Sequence, residues 1–176
     1  MPFRYLCKLI TKDVISGFVT KLQELVYKSE SYVSLLYVID DILYRGVIGS
    51  DVWDFNQFSK KFADANYIQI CKGVFFVEQK NIHDNSLDLH PSLIYIARTY
   101  CYLKKRQLSH EDKELDLALP ILLSELQNNI PQYDDDPSNA GNEATPLKPF
   151  WHGGERFERA LVALRCLTDC TSLYCY

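Results

Sequence analysis

Residues 31–45 read SYVSLLYVIDDILYR, and this stretch decides which fold the chain is expected to adopt. Ten of its fifteen residues are apolar or aromatic, so a helix built from them has no broad polar face. A helix of this kind must be surrounded by protein rather than half solvated. It is too short to span a bilayer, and Asp40 and Asp41 interrupt it. The stretch therefore predicts a central apolar helix on which the other elements pack.

The remaining segments predict a single, mostly α-helical domain over residues 1–176, with about six helices. Residues 67–78 differ from the rest, because β-branched and aromatic residues there flank Lys72 and Gly73. This pattern is typical of two short strands joined by a tight turn, so we expect one small β-hairpin as a minor β component. Apolar side chains recur at helical spacing in five segments besides the central one, near residues 12–28, 54–65, 92–106, 109–126 and 155–169.

Four residues predict where helices begin, end or bend. Thr11 is placed to cap the helix that follows it, and Pro91 suits a first helical turn, since its missing N–H would be unpaired there. Gly46 is expected to end the central helix as a C-terminal cap. Pro120 is expected to kink its helix or divide it in two.

The chain has a formal net charge of −4, with 24 % charged and 47 % hydrophobic residues. A mildly acidic surface argues against general nucleic-acid binding, which needs clustered Lys and Arg to neutralise phosphates. The amino terminus lacks the pattern of a signal peptide, and the sequence has no run of about eighteen apolar residues that would cross a membrane. We therefore expect a cytoplasmic protein without a membrane partner, in which the six cysteines are free thiols.

Residues 128–154 are rich in Pro, Gly and Asp, a composition that predicts a long acidic surface loop. Three adjacent carboxylates in this segment would attract a basic surface and speed the encounter with it. Three aromatic residues of the same region are of the type that anchors protein interfaces. The predicted partner-binding residues are therefore Asp134, Asp135, Asp136, Tyr133, Phe150 and Trp151.

No motif in the chain predicts catalysis, a metal site or a cofactor. The four histidines do not have the spacing of a catalytic or metal-binding motif. Cys166, Cys170 and Cys175, with His152 upstream, lack the two tight pairs of a structural zinc site. We therefore expect these residues to be structural or solvated.

Asp40 and Asp41 need a separate explanation, because a buried carboxylate is costly unless it is paired. A role as acid, base or metal ligand would require one of them to face a pocket. The interpretation we favour is that both lie near the helix surface or pair with Arg98 or Arg45.

The function that best fits these observations is a small acidic protein-binding module of the inhibitor or immunity type. Such a module would bind and neutralise a basic toxin such as a nuclease, with its acidic side chains in the place of substrate phosphates. Bacterial immunity proteins share this size and charge, which is an analogy of composition. On this interpretation the protein is not an enzyme and uses no cofactor.

The alternative is a winged-helix-like nucleic-acid-binding protein that uses residues 12–78. Three predicted helices and a hairpin follow one another there in the order of that fold, with Lys60 and Lys61 on the third helix and Lys72 at the tip of the wing. Asp51, Asp54 and Asp64 flank these lysines, so the surface would be poorly positive. Salt-dependent retention on DNA would distinguish this alternative from the acidic inhibitor.

Overall fold

The computed structural model describes residues 3–49, 52–84, 89–105, 112–130 and 154–168, and these residues form eight α-helices. The expected mostly helical architecture is confirmed, but six helices were too few, and the described residues contain no strand. The helices are α1 (Phe3–Leu9), α2 (Lys12–Glu24), α3 (Glu30–Gly49), α4 (Val52–Asp64), α5 (Tyr67–His83), α6 (Pro91–Leu103), α7 (Leu115–Asn128) and α8 (Gly154–Thr168).

The predicted β-hairpin at residues 67–78 is wrong, because this segment belongs to the continuous helix α5. Gly73 does not adopt a positive φ, so it forms no tight turn. The buried residues of α5 recur every three or four positions, which is the period of a helix packed on one side. They are Tyr67, Cys71, Val74, Phe75, Glu78 and Ile82. The β-branched and aromatic composition is a weak preference that this packing overrides.

The most completely buried helix among the described residues is α6, not the α3 on which the sequence prediction centred. Eleven of the thirteen residues of α6 are buried, and the helix packs against α3, α5, α7 and α8. In α3, by contrast, Tyr37 and Val38 are more than two-fifths exposed. The two helices pack extensively against each other, and α8 also packs on α6. This arrangement brings side chains of α3, α6 and α8 together.

The predicted helix boundaries are partly confirmed. Thr11 caps α2, since its side chain accepts a hydrogen bond from the Val14 N–H at 3.4 Å. Pro91 is in the first turn of α6. Gly46 does not end α3; it is buried inside the helix, which continues to Gly49. Pro120 does not divide α7, which runs through it.

None of the helices in the described ranges combines the length and the apolar character that crossing a bilayer requires.

Candidate functional site

The six predicted partner-binding residues lie outside the described residues. They are Asp134, Asp135, Asp136, Tyr133, Phe150 and Trp151. The same holds for Cys170, Cys175 and His152 of the zinc site considered above. The segment predicted as a long loop, residues 128–154, is described only as far as residue 130 and again at residue 154, where α8 begins.

The three lysines of the nucleic-acid alternative do not form a common basic surface. The Lys60 ammonium lies 3.0 Å from the Asp64 carboxylate one turn along α4. Lys61 is turned inward, where its ammonium donates hydrogen bonds to the backbone carbonyls of Cys7 and Ile10 at 3.0 and 3.2 Å. Lys72 lies on the helix that replaces the wing, with its ammonium 3.8 Å from a Glu114 carboxylate oxygen.

The structure instead brings together a cluster of ion pairs around Asp40, where α3, α6 and α8 meet. Asp40 is fully buried. One carboxylate oxygen accepts from Arg98 Nε, and the other accepts from Arg98 Nη2, both at 3.0 Å. Arg159 of α8 adds a third hydrogen bond, from Nη1 at 2.9 Å. Of the two options favoured for Asp40, pairing with Arg98 is confirmed and a place near the helix surface is wrong, because the residue is fully buried. Arg159 is a second partner that the sequence prediction missed.

Asp41 links the same cluster to the surface. Its carboxylate accepts a hydrogen bond from Arg45 Nε at 2.8 Å and another from Arg159 Nη2 at 2.8 Å. The same nitrogen, Arg159 Nη2, also lies 2.8 Å from a carboxylate oxygen of Glu155, one turn earlier on α8. Arg159 therefore holds three carboxylates, and its guanidinium ties the first turn of α8 to α3.

Burial and pairing act in opposite directions on these two carboxyl groups. Complete burial raises the pKa of Asp40 above its ordinary value, and the charges of Arg98 and Arg159 oppose that rise. For Asp41, desolvation also raises the pKa, but hydrogen bonds from Arg45 and Arg159 outweigh it and the pKa falls below the ordinary value. All four carboxylate oxygens of Asp40 and Asp41 accept at least one hydrogen bond from an arginine.

Aromatic rings surround the guanidinium groups. The Arg159 guanidinium lies 4.5 Å from the centre of the Tyr44 ring, and that of Arg98 lies 5.1 Å from the centre of the Tyr95 ring. Stacking of this kind stabilises a cation that has been removed from water. Tyr44 in turn donates its hydroxyl proton to Glu158 at 2.8 Å. Each guanidinium group therefore has a cation–π contact as well as its carboxylate partners.

A pocket of about 220 Å³ opens beside this cluster. Two buried nitrogens on its lining residues, Arg98 Nη1 and Arg159 Nε, have no hydrogen-bond partner in the described part of the chain. Arginine stays protonated in proteins, so these groups are donors only. Both nitrogens are themselves buried, and the three arginines that line the pocket are paired with Asp40, Asp41, Glu125 and Glu155. The lining of the pocket consists of Tyr37, Pro91, Ile94, Tyr95, Arg98, Glu155, Arg156 and Arg159.

The described cysteines and histidines do not build a second site. Cys71 and Cys101 are free thiols, as expected, and both are buried, as is Cys166. Burial raises the pKa of the Cys71 thiol to about 12, which leaves it protonated and unreactive at neutral pH. His90 caps α6 by accepting a hydrogen bond from the Ser92 N–H. Over the residues that the structure describes, no group of three His, Cys, Asp or Glu side chains is arranged to hold a metal ion.

Sequence reasoning missed the two arginines of α8 that line the pocket, Arg156 and Arg159. A weak signal was present: Arg159 is followed by Ala160 and, at helical spacing, by Ala163, and both alanines are fully buried. A charged residue on the same face as small buried residues points toward the interior. In comparisons with protein-family models, curated proteins and solved structures, nothing matches this chain.

Proposed function

We propose that this protein is a non-catalytic binding module of the inhibitor or immunity type, which binds and neutralises a basic protein such as a nuclease toxin. The observation that carries the proposal is where the negative charge lies. Lysines and arginines slightly outnumber acidic residues within the described ranges, whereas the whole chain has a net charge of −4. The acidic excess therefore belongs to the other segments, which include Asp134, Asp135 and Asp136.

The charged groups of the helices support this division of roles. Many of them are engaged with one another: Arg156 is paired with the buried Glu125 at 2.7 Å, and Lys28 with the buried Glu78 at 2.6 Å. Carboxylates held in such pairs are engaged within the fold and are not available to a partner. We infer that a basic partner is attracted by the acidic segment and not by the helices.

The nucleic-acid alternative has lost its main structural support. The wing that would carry Lys72 is a helix, and Lys61 is engaged with two backbone carbonyls. A winged-helix domain needs these positive charges on one face toward the phosphates. We therefore retain the protein partner as the proposal and treat nucleic acid as an outcome that its test can return.

The test begins with purification of the intact protein from its native cells and identification of the protein bound to it in a fixed ratio. The affinity of that partner is then measured by calorimetry for the natural chain and for a variant in which Asp134, Asp135 and Asp136 are changed to Asn. We expect binding to weaken at least about tenfold and to depend steeply on salt in the natural chain.

A matched control changes three carboxylates that lie on the exposed surface of the helices, Asp13→Asn, Glu24→Gln and Asp84→Asn. This variant loses the same net charge, so only a local role of the acidic segment distinguishes the two. Equal weakening by both variants, or a nucleic acid in place of a protein partner, would overturn the proposal.

A further inference from the structure

We propose that the exposed face of α5 is an interface at which two copies of this chain pair, with their α5 helices antiparallel about a two-fold axis. Four exposed residues form this face, Gln69, Gly73, Phe76 and Lys80, and we call them the α5 stripe. They are separated by four, three and four positions, so they lie along one side of the helix. The interface is separate from the acidic segment to which we assign the protein partner.

The first argument is the apolar surface at the centre of the stripe. Phe76 is 79 % exposed, the largest value for a large hydrophobic side chain in the described ranges, and the adjacent Val77 is 67 % exposed. Hydrophobic residues that are scattered singly over a surface need no explanation, whereas neighbouring ones form a patch that is typical of an interaction site. The opposite side of α5 is already covered, since six of its residues are buried.

The second argument is the glycine one turn before Phe76. The φ angle of Gly73 is not positive, so the backbone does not require glycine there. A Cβ added at this position meets no atom within 4 Å. Glycine inside a helix costs stability relative to alanine, and no contact in the described part of one copy accounts for that cost. On an exposed face, a glycine leaves a hole in which a large side chain from a second helix can lie.

The third argument is that the stripe is complementary to itself. When two α5 helices are antiparallel and the two-fold axis passes beside residues 74 and 75, Phe76 of each copy faces Gly73 of the other. The same axis sets Gln69 of each copy opposite Lys80 of the other. Each large ring then meets the open space at a glycine, and each ammonium meets an amide oxygen that can accept its hydrogen bond. A two-fold interface requires this reciprocity, so the spacing specifies a second copy as the occupant.

The fourth argument is that the charges around the stripe do not oppose pairing. Lys80 is the one charged residue of the four, and in this register the two Lys80 residues are about 16 Å apart along the helices, longer than the Debye length. Lys72, beside the stripe, has its ammonium 3.8 Å from Glu114. Glu78 is buried and paired with Lys28 at 2.6 Å. Two copies can therefore approach without like charges in contact.

The size of the contact sets the expected affinity. A single helix face buries less than the roughly 800 Å² per partner of a standard interface, so we expect a dissociation constant on the order of 10–100 µM. Below this range the chain is monomeric, and substitutions at Gly73 then report on the stability of α5 alone.

The test is analytical ultracentrifugation of the full chain from about 1 µM to about 1 mM, a range that brackets the expected dissociation constant. We expect the weight-average mass to rise from that of one chain toward that of two. Because the contact is apolar, raising the salt concentration to about 0.5 M should not weaken it, whereas association through the acidic segment would be screened.

A matched pair of variants locates the contact. Phe76→Ser removes both rings from the interface and should weaken dimerisation at least about tenfold. Tyr5→Ser removes another exposed aromatic ring, on α1, and should leave dimerisation unchanged. Phe76 is 79 % exposed and Tyr5 is 59 % exposed, so both variants should fold.

Two glutamine variants test the antiparallel register. Gln69→Glu places a carboxylate opposite Lys80 of the second copy, twice in each dimer, and should tighten dimerisation about threefold to tenfold. Gln79→Glu adds the same charge at an exposed position of α5 that is not on the stripe, and it should not tighten dimerisation.

A chain that stays monomeric over the whole concentration range would overturn the proposal, as would equal effects of Phe76→Ser and Tyr5→Ser. Equal effects of the two glutamine variants would overturn the antiparallel register. A loss of dimer confined to Phe76→Ser, together with tightening confined to Gln69→Glu, would establish the interface.

Discussion

Removing the fully buried carboxylate of Asp40 should cost more stability than removing any other single charge in the described helices, because two buried guanidinium groups then lose their partner, and Asp40→Asn measures that cost. The substitution keeps the shape of the side chain but removes the charge that balances two guanidinium groups. Asp40 accepts three hydrogen bonds from them, at 2.9 to 3.0 Å. Removing one partner of a buried ion pair costs about 3–5 kcal/mol. Because Arg159 retains Asp41, we expect the lower part of that range, about 3–4 kcal/mol.

The assay is equilibrium urea unfolding, followed by circular dichroism at neutral pH. In thermal unfolding of a chain of 176 residues, each kcal/mol corresponds to roughly 2–4 °C in Tm, so Asp40→Asn should lower Tm by about 6–16 °C. The dependence of the unfolding free energy on urea should not change, since the variant buries the same surface.

The control for this prediction is Asp41→Asn, which removes the neighbouring charge on the same helix. The Asp41 side chain is 25 % exposed and that of its partner Arg45 is 63 % exposed, so this pair is screened by water. Its other partner, the buried Arg159, still keeps Asp40 and Glu155. We expect a cost of about 1 kcal/mol or less. If both substitutions cost the same, or if Asp40→Asn costs less than about 1 kcal/mol, the claim that buried pairing at Asp40 holds α3, α6 and α8 together is refuted.

Three further predictions follow from other parts of the fold. Gly73→Ala and Gly17→Ala should each stabilise the protein by about 0.5–1 kcal/mol in urea unfolding, because an added Cβ meets no atom within 4 Å at either helical position. A loss of stability on Gly73→Ala would contradict the helical assignment of this segment. Desolvation raises the pKa of Glu78, but its hydrogen bonds lower it more, so the pKa in the folded protein lies below the ordinary value of 4.5. The stabilisation from Glu78 is therefore complete above pH 4.5 and is lost as the pH falls through the folded pKa. Glu78→Gln should flatten the pH dependence of the urea-unfolding free energy over that acid range. Desolvation lowers the pKa of His90, so an NMR titration should give a midpoint below 6.5, and a midpoint above 6.5 would contradict this. The hydrogen bond that His90 accepts from the Ser92 N–H should be complete above pH 6.5 and lost as the pH falls.

The sequence predicted the helices wherever one face was apolar and the boundaries had recognisable caps. α2 illustrates this, since Thr11 caps it and its buried residues Ile15, Val19 and Leu22 recur at helical spacing. The prediction for α5 was wrong because it considered residues 67–78 alone, and these are rich in strand-forming side chains. The buried set continues at helical spacing to Ile82, beyond the predicted hairpin. Extending the window by one turn would have favoured the helix.

The central helix was misidentified for a different reason. α3 is apolar nearly all round, but apolar composition does not report which faces are covered, and Tyr37 and Val38 remain partly exposed. α6 has a buried polar set, Ser92, Arg98 and Thr99, which lowers its apparent hydrophobicity although it is the better covered helix. Burial of polar residues depends on partners from distant parts of the chain, and one sequence does not show them.

The ion pairs around Asp40 show the same limit most clearly. Asp40 raised the question of a buried charge, and Arg98 was available as an answer from the sequence. Arg159 lies 119 residues from Asp40 along the chain, and only the packing of α8 on α6 brings them within hydrogen-bond distance. One carboxylate could have been paired by one arginine, but Asp40 is held by two, and the second comes from a distant helix. This arrangement is created by tertiary structure, and no local motif encodes it.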